Sequence, residues 1–433
     1  MSLSRTDRGL HVDAARLWSM LEEYARYGAT TAAGGVSRPV FSPPDLAIRQ
    51  RFIDDCRALG LDVSVDAAAN VFCARPGSDR TLPRILIGSH LDSVPDGGRY
   101  DGALGVVCGL EVMRTLVELD RATRHTIALV SLTGEEATSF GTSTFGSRAL
   151  AGRLPDVSAN ALPDGRTVRQ ALHDAGGAWD DLQAMLSARE PLACFLEAHI
   201  EQGTRLEAGG RALAPVSGVC GIYRHRIVFH GTPGHAGTTP MAKRHDALRA
   251  AALFILTVPA LPAAVAAADP SATATVGYLD VTPNSPNVIP GQVTLVTDLR
   301  SADAALLAAL AEGAGAAARQ AARDTATKVE ITTMLDQAPV AFDARVRATL
   351  GAVLEDLGEG GAELTSQAGH DAVHLGALAP AGMLFVRCRG GVSHNPDESV
   401  QPVDAALAAE ALLRAVRAID ASPDFDAPGV LLS

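Results

Sequence analysis

The feature that most constrains the fold is the stretch from Gly88 to Leu110, GSHLDSVPDGGRYDGALGVVCGL. An apolar run, Ile85–Ile87, precedes it, and an apolar-periodic segment, 103–119, closes it, so the pattern predicts a buried strand, a glycine-rich loop and a helix. The loop carries His90, Asp92 and Asp101. Open α/β sheets place their chemistry on such loops. Since an isolated His-x-Asp pair also commonly caps a loop, a metal site here depends on further ligands elsewhere.

Composition limits the class of protein. The chain has 433 residues, 47% of them hydrophobic, which is enough for two or more domains with cores. Its net charge of −12 argues against nucleic-acid and anionic-membrane surfaces. Six scattered cysteines without a CxxC pair favour reduced thiols. The N-terminus lacks the apolar core of a signal peptide, and Pro259 and Pro262 interrupt the apolar stretch 250–268. We therefore expect a cytoplasmic protein without a membrane span.

Four apolar runs predict strands that end close to histidine or carboxylate residues. They are 85–87, 126–132, 193–198 and 383–386. The residues that follow them or stand at their ends are His90, Glu135, Glu136, His199 and His394. Apolar strands that alternate with helices predict an α/β fold with a mainly parallel sheet covered by helices on both faces. The carboxyl ends of such strands would bring these side chains together.

The pattern changes near residue 216. From 223 to 335 the predicted elements follow the order β-α-β-β-α-β, which is the ferredoxin-like unit. The earlier pattern returns after Pro339. We therefore expect a catalytic metal-binding domain, 1–212 and 337–433, and an inserted α+β domain, 213–336.

Five residues form a candidate ligand set of imidazoles and carboxylates: His90, Asp101, Glu136, His199 and His394. Such a set, with one carboxylate able to bridge, suits two divalent ions such as Zn, Mn, Co or Ni. Glu135, beside a ligand but free of the metal, is placed to act as general base. Asp92 is expected to accept the other ring N–H of His90 and so to orient its imidazole.

At this level of detail the chain resembles a known family. The motifs include GGVSR (34–38), GSHLDSVPDGGRYDGALGV (88–106), GEEATSF (134–140), EAHIEQG (197–203), GHAGTTPM (234–241), PNVIPG (286–291), DLRS (298–301), AGHDA (368–372) and GVSHNPDES (391–399). They resemble the hydantoinase/carbamoylase branch of the M20 metallopeptidase-like amidohydrolases, which contains N-carbamoyl-L-amino acid hydrolases, β-ureidopropionases and allantoate amidohydrolases. They span nearly the whole chain in family order.

The resemblance implies roles for individual residues. It implies a bridging Asp101, with His90, Glu136, His199 and His394 as the other ligands and Glu135 as base. Arg300 and Asn287 would hold the substrate carboxylate, and His235 would stabilise the oxyanion. It further implies substrate-pocket roles for Gln202, Gly369 and His370. The inserted domain would be a lid through which a homodimer forms.

The expected activity is hydrolysis of the ureido C–N bond of an N-carbamoyl amino acid. Allantoate amidohydrolase is the alternative, together with β-ureidopropionase, because the pocket departs from the family pattern at Gly134, Ala137 and Gln367. An M20 aminopeptidase or dipeptidase is disfavoured, since the peptidase branches typically carry a carboxylate where His199 stands. A binding protein on an inactive scaffold would have lost a ligand or the base, and this chain has all of them.

Overall fold

The computed structural model describes residues 10–30, 34–136 and 140–428. They divide into two compact units. Unit 1 holds the described residues of Met1–Ser217, Phe342–Leu364 and Gly369–Ser433, and unit 2 holds Gly218–Ala341 and Thr365–Ala368. The assignment of the short segment 365–368 to unit 2 has no counterpart in the sequence pattern. The expected domain bounds at 212/213 and 336/337 stay a prediction.

The strands are β1 Asp62–Val65, β2 Val71–Arg75, β3 Arg84–His90, β4 Ile127–Leu132, β5 Leu192–Ile200, β6 Leu213–Val219, β7 Gly221–His230, β8 Gly234–His235, β9 Thr273–Thr282, β10 Val288–Ile289, β11 Gln292–Ser301, β12 Lys328–Gln337, β13 Val340–Ala341, β14 Leu364–Ser366 and β15 Ala381–Val386. The helices are α1 Ala14–Tyr24, α2 Pro43–Ala58, α3 Ala103–Glu118, α4 Phe145–Leu150, α5 Val168–Asp174, α6 Leu182–Ser187, α7 Arg205–Ala208, α8 Ala247–Thr257, α9 Ala304–Asp324, α10 Ala344–Asp356, α11 Asp371–Leu375 and α12 Pro402–Ala421.

The sheet of unit 1 has the strand order β1-β2-β4-β3-β5-β15-β6. The four central strands, β4, β3, β5 and β15, are parallel to one another. The strands on either side are antiparallel to their neighbours. The sheet is therefore mixed, and the expectation of a mainly parallel sheet was wrong for its two sides. A turn of five residues joins β1 to β2, which permits only an antiparallel pair.

The central strands lie in the core of unit 1. Every residue of β4 and β15 is buried. Because successive side chains of a strand point to opposite faces, burial along the whole strand requires cover on both faces. Helix α3 packs on β3, β4 and β5, and α12 packs on α3. This core fixes the ends of the central strands, from which the candidate ligands project.

Unit 2 contains a four-stranded antiparallel sheet in the order β12-β7-β11-β9. With α8 after β7 and α9 after β11, the elements follow the expected β-α-β-β-α-β order. Phe229, Phe254 and Leu295 lie in the core between this sheet and the two helices. Asp246 and Asp303 cap α8 and α9 by accepting hydrogen bonds from backbone N–H groups of the first turn.

The helical stretch Ala247–Ala264 is long and apolar enough to cross a membrane by length and composition alone, with 28% of it buried. Its first part is α8, whose residues Ala250 and Phe254 pack into the core of unit 2. Short 3₁₀ turns follow at Val258–Ala260 and Pro262–Ala264. A core helix passes the same test of length and composition, so this stretch is weak evidence for a span.

Candidate metal centre

Two groups of potential ligands meet at Asp101. His90 and His199 form the first group with it, and Glu136 and His394 form the second. Asp101 Oδ1 lies 3.1 Å from His199 Nε2 and 3.7 Å from His90 Nε2. Asp101 Oδ2 lies 3.4 Å from His394 Nε2, which is 3.1 Å from Glu136 Oε1. Each carboxylate oxygen of Asp101 therefore faces a different group, which is the arrangement of a bridging ligand.

The residues present fit a pair of divalent cations. Two ligands of a tetrahedral zinc ion with bonds of about 2.0–2.2 Å lie about 3.3–3.6 Å apart, close to the distances around Asp101. His90 Nε2 is buried and has no hydrogen-bond partner among the described residues, so it is free to bind a cation. Hydrogen bonds to Asp101 and Glu136 raise the pKa of His394 to about 10, so this site stabilises positive charge. The described groups are compatible with a dinuclear centre of imidazole and carboxylate ligands.

The sheet brings these residues together. His90 ends β3 opposite Leu132, the last residue of β4. His199 lies near the end of β5, opposite Phe385 of β15. Because these strands are parallel, their carboxyl ends share one edge, and Glu136 and His394 follow on the loops after β4 and β15. The convergence predicted from the strand ends is therefore present in unit 1.

Gly102 allows the loop after β3 to pass close to His90. Its φ is +64°, and a Cβ at this position would lie 2.3 Å from His90 Cε1. A side chain here would strain the backbone and collide with the imidazole. The glycine-rich character of the loop thus has a physical cause at the site itself.

Glu135 lies beside the first group, with 12% of its side chain exposed. Its Oε2 lies 4.0 Å from His90 Nε2, at the edge of contact with the ligands. Burial raises the pKa of the Glu135 carboxyl well above its usual value, a direction that suits a general base working near neutral pH. Residues 137–139 of the motif GEEATSF lie outside the described residues.

The contacts of Asp92 differ from the one expected, in which its carboxylate accepts the ring N–H of His90. The ring nitrogen His90 Nδ1 faces the backbone oxygen of Asp92 at 3.1 Å, and the carboxylate oxygen is farther away at 3.6 Å. The carboxylate instead accepts the backbone N–H groups of Glu135 and Glu136, each at 3.1 Å. The main chain of Asp92 thus orients His90, and its side chain positions the loop of the candidate base.

Gln202 contacts the bridging candidate. Its Nε2 donates to Asp101 Oδ2 at 2.8 Å and lies 3.1 Å from Ser393 Oγ. Ser393 Oγ also donates to Asp101 Oδ2 at 2.9 Å. Gln202 Oε1 is buried without a hydrogen-bond partner among the described residues. The amide therefore restrains Asp101 through its nitrogen and leaves its oxygen for another donor.

His370 lies at the start of α11 behind the first group. Its ring packs against that of His199 with centroids 4.5 Å apart. Glu197, His199 and His370 bring potential ligand atoms close to one another. Burial and the neighbouring His199 hold the pKa of His370 well below its usual value, so this imidazole is neutral. Gly369, the residue before it, is exposed.

Two of the expected substrate residues are neighbours in unit 2. His235 pairs with Val288 where β8 meets β10, and Asn287 precedes that position. His235 is exposed, and its Nδ1 accepts the backbone N–H groups of Gly237 and Thr238 at 3.0 and 3.2 Å. Since Nδ1 accepts, the neutral imidazole carries its hydrogen on Nε2 and can donate from there.

Arg300 stands near the end of β11 in unit 2. Its Nε donates to Asp298 Oδ1 at 2.7 Å, and Nη1 donates to the backbone oxygen of Gln367. Burial alone would lower the pKa of Arg300, but Asp298 raises it above its usual value. The guanidinium is therefore a fixed, permanently charged group.

Three residues around the centre escaped the sequence analysis. Arg38, fully buried, donates to the backbone oxygen of Leu91, next to His90. Ser393 and Glu398 contact Asp101. All three lie inside motifs noted above, GGVSR and GVSHNPDES, but the motifs alone do not show which partner each side chain meets.

Residues 86–418 match the family model described as Peptidase family M20/M25/M40. The chain is 33% identical to an N-carbamoyl-L-amino-acid amidohydrolase of Paenarthrobacter aurescens, over 94% of this chain and 98% of that protein. It is also 33% identical to an allantoate amidohydrolase of Bacillus subtilis, over 87% of this chain and 91% of that one. Among solved structures, an amidase of the hydantoinase/carbamoylase family from Burkholderia multivorans superposes with a TM-score of 0.88 at 34% identity, covering 96% of this chain and 99% of that one.

Proposed function

Because this chain belongs to peptidase family M20/M25/M40, we propose that it hydrolyses the ureido carbon–nitrogen bond of an N-carbamoyl-L-amino acid and releases the amino acid, carbon dioxide and ammonia. It is a hydrolase of carbon–nitrogen bonds other than peptide bonds, as its relatives are by name. The observation that carries the proposal is the position of Asp101, whose two oxygens face two separate ligand groups.

The proposed ligands are His90 and His199 for one cation and Glu136 and His394 for the other, with Asp101 shared. Two divalent ions bound here would polarise the scissile carbonyl and lower the pKa of water. Zn, Mn, Co and Ni all suit this mixture of imidazole and carboxylate. The protein's own contribution is a set of donors at and just beyond the ends of parallel strands, all of them buried except His394.

Glu135 is the proposed general base. Its carboxylate lies close to His90 and is available to accept the proton of the attacking water. After the attack it donates that proton to the departing nitrogen. The hydrogen bonds from the Glu135 and Glu136 backbone to Asp92 hold the base in place during both transfers.

Unit 2 offers groups that suit the rest of the substrate. The Arg300 guanidinium, held by Asp298, can grip the substrate carboxylate through two parallel hydrogen bonds. Asn287 would add a polar contact. His235, with its hydrogen on Nε2, can donate to the oxygen that becomes negative in the transition state. Gln202 Oε1, Gly369 and His370 are the proposed remaining contacts to the ureido group.

We also propose that unit 2 is a lid through which two copies pair in the cytoplasm. β9 is an edge strand of its sheet, and Tyr278 and Leu279 on it are 53% and 48% exposed. On α8, Leu256 is 78% exposed. An exposed edge strand and exposed apolar side chains on a helix of the same unit favour self-association about a twofold axis. The test is the molar mass in solution of wild type and of L256D. We expect wild type to be a dimer and L256D to be a monomer.

Allantoate is the second candidate substrate. It carries the same carboxylate and ureido chemistry, and the relative from Bacillus subtilis bears its name. A dipeptide substrate is less favoured, because a histidine stands at 199 where the peptidase branches carry a carboxylate. The substrate of a β-ureidopropionase differs from an N-carbamoyl-L-amino acid only in the length of its amino-acid part.

The test is ammonia release by protein reconstituted with Mn or Zn. The panel contains N-carbamoyl-L-amino acids, N-carbamoyl-β-alanine, allantoate and two dipeptides, with an EDTA-treated control. We expect turnover of an N-carbamoyl-L-amino acid that EDTA abolishes. Turnover of allantoate alone would favour the second candidate with the same mechanism. Release of amino acids from the dipeptides alone would refute the ureido proposal.

A further inference from the structure

The backbone of Asp101 is held by a carboxylate from the other end of the chain. Glu398 Oε1 accepts the backbone N–H of Tyr100 at 2.8 Å and that of Asp101 at 3.1 Å. Glu398 is 4% exposed and follows His394 on the same loop. We propose that Glu398 is a positioning residue that fixes Asp101 between the two candidate cations, an inference that rests on the proposed metal centre.

The loop before Asp101 leaves room for this carboxylate. A Cβ on Gly98 would lie 1.9 Å from Glu398 Cδ and 2.1 Å from each of its carboxylate oxygens. Because real Cβ atoms do not approach so closely, any other residue at 98 would displace Glu398. The glycine and the carboxylate are thus a matched pair, 300 residues apart in sequence.

This contact matters because both carboxylate oxygens of Asp101 must be placed accurately. Its side chain is already held on one oxygen, Oδ2, by Gln202 and Ser393. The bonds from the Tyr100 and Asp101 amides to Glu398 add a second restraint, on the backbone from which this carboxylate projects. Since Oδ1 and Oδ2 face different ligand groups, a small tilt would misplace both at once.

An ordinary loop cap is the competing explanation, and the chain offers a matched control for it. Glu359 Oε2 also accepts two consecutive backbone N–H groups, those of Ala212 and Leu213, at 2.7 and 3.3 Å. None of the proposed ligands lies on that loop. If Glu398 only stabilised a loop, removal of either carboxylate would have the same effect on metal binding.

The experiment compares E398A, E398Q and E359A with wild type. The readouts are the number of Mn or Zn ions bound, their affinities in a metal buffer, and the visible spectrum of the Co(II)-loaded protein. We expect E398A to weaken at least one site by about 10- to 100-fold, the usual effect of losing a residue that orients a ligand, and to alter the Co(II) spectrum. E398Q keeps a carbonyl acceptor and should restore most of the affinity. E359A should match wild type.

G98A provides an independent perturbation, because it displaces Glu398 without deleting it. G98A should reproduce the loss of affinity, and adding it to E398A should cost little more, as expected of residues that act through one contact. Should E398A yield no folded protein, G98A and E398Q decide the question. Wild-type affinity and spectrum in E398A, or an equal loss in E359A, would overturn the inference. Wild-type protein that binds no metal would instead overturn the proposed function.

Discussion

Replacement of Asp92 by alanine should release the loop that carries Glu135 and Glu136. The carboxylate of Asp92, 2% exposed, accepts both of their backbone N–H groups at 3.1 Å. The backbone oxygen that orients His90 remains in D92A. The variant therefore separates the two functions of this residue, because His90 keeps its partner and the candidate base loses its support.

The size of the effect follows from the two hydrogen bonds. A hydrogen bond to a charged group contributes about 1.5–3 kcal/mol. Because about 1.4 kcal/mol corresponds to a factor of ten, loss of each bond should raise the opening equilibrium of its amide about 10- to 100-fold. The misplaced base should lower kcat by a similar factor and leave KM within a few-fold of wild type.

Site-resolved hydrogen exchange measures the first effect and ammonia release the second. E201A is the matched control, since Glu201 accepts the backbone N–H groups of Arg205 and Leu206 at 2.9 Å each. It should accelerate exchange at those two amides and not at Glu135 or Glu136. Unchanged exchange at residues 135 and 136 in D92A would refute the reasoning.

Three further predictions concern catalysis, recognition and stability. E135Q should keep both metals and lose about 10²- to 10⁴-fold in turnover, whereas H90A should also lose metal by elemental analysis; wild-type turnover in E135Q would exclude Glu135 as the base. R300K should raise KM for the carboxylate substrate at least about tenfold, because lysine lacks the paired donors of guanidinium; an unchanged KM would contradict this role. Burial raises the pKa of Asp269, but hydrogen bonds from Ser271 and Ser301 bring it below the usual value of an aspartate. The stability that this carboxylate contributes is thus complete above that value and lost as the pH falls through the lower folded-state pKa. The difference in unfolding temperature between wild type and D269N should be larger at pH 6 than at pH 3, and an equal difference at both would contradict the assignment.

Much of the candidate site could be predicted from sequence because its residues lie at strand ends. A polar residue that directly follows a short apolar strand lies at the carboxyl edge of a parallel sheet, whichever order the strands take. This reasoning brought His90 and His199 together, as the structure has them. The elements of unit 2 were predictable for a similar reason, since alternation and helical periodicity are local properties of the chain.

The mixed character of the sheet was not predictable in this way. The directions of β2 and β6 depend on which neighbours these strands pair with. The burial of these two strands is compatible with either strand direction. Strand polarity in these positions was therefore decided by the tertiary structure.

By itself, the sequence determined the types of donor and the order in which the strands deliver them, because both are written in local patterns. Only the tertiary structure decided what holds the donors in place. Asp92 meets residues 43 and 44 positions away, and Glu398 meets residues nearly 300 positions away. Such partners depend on how loops from separate strands pack against one another at one edge of the sheet, and no local pattern contains that information.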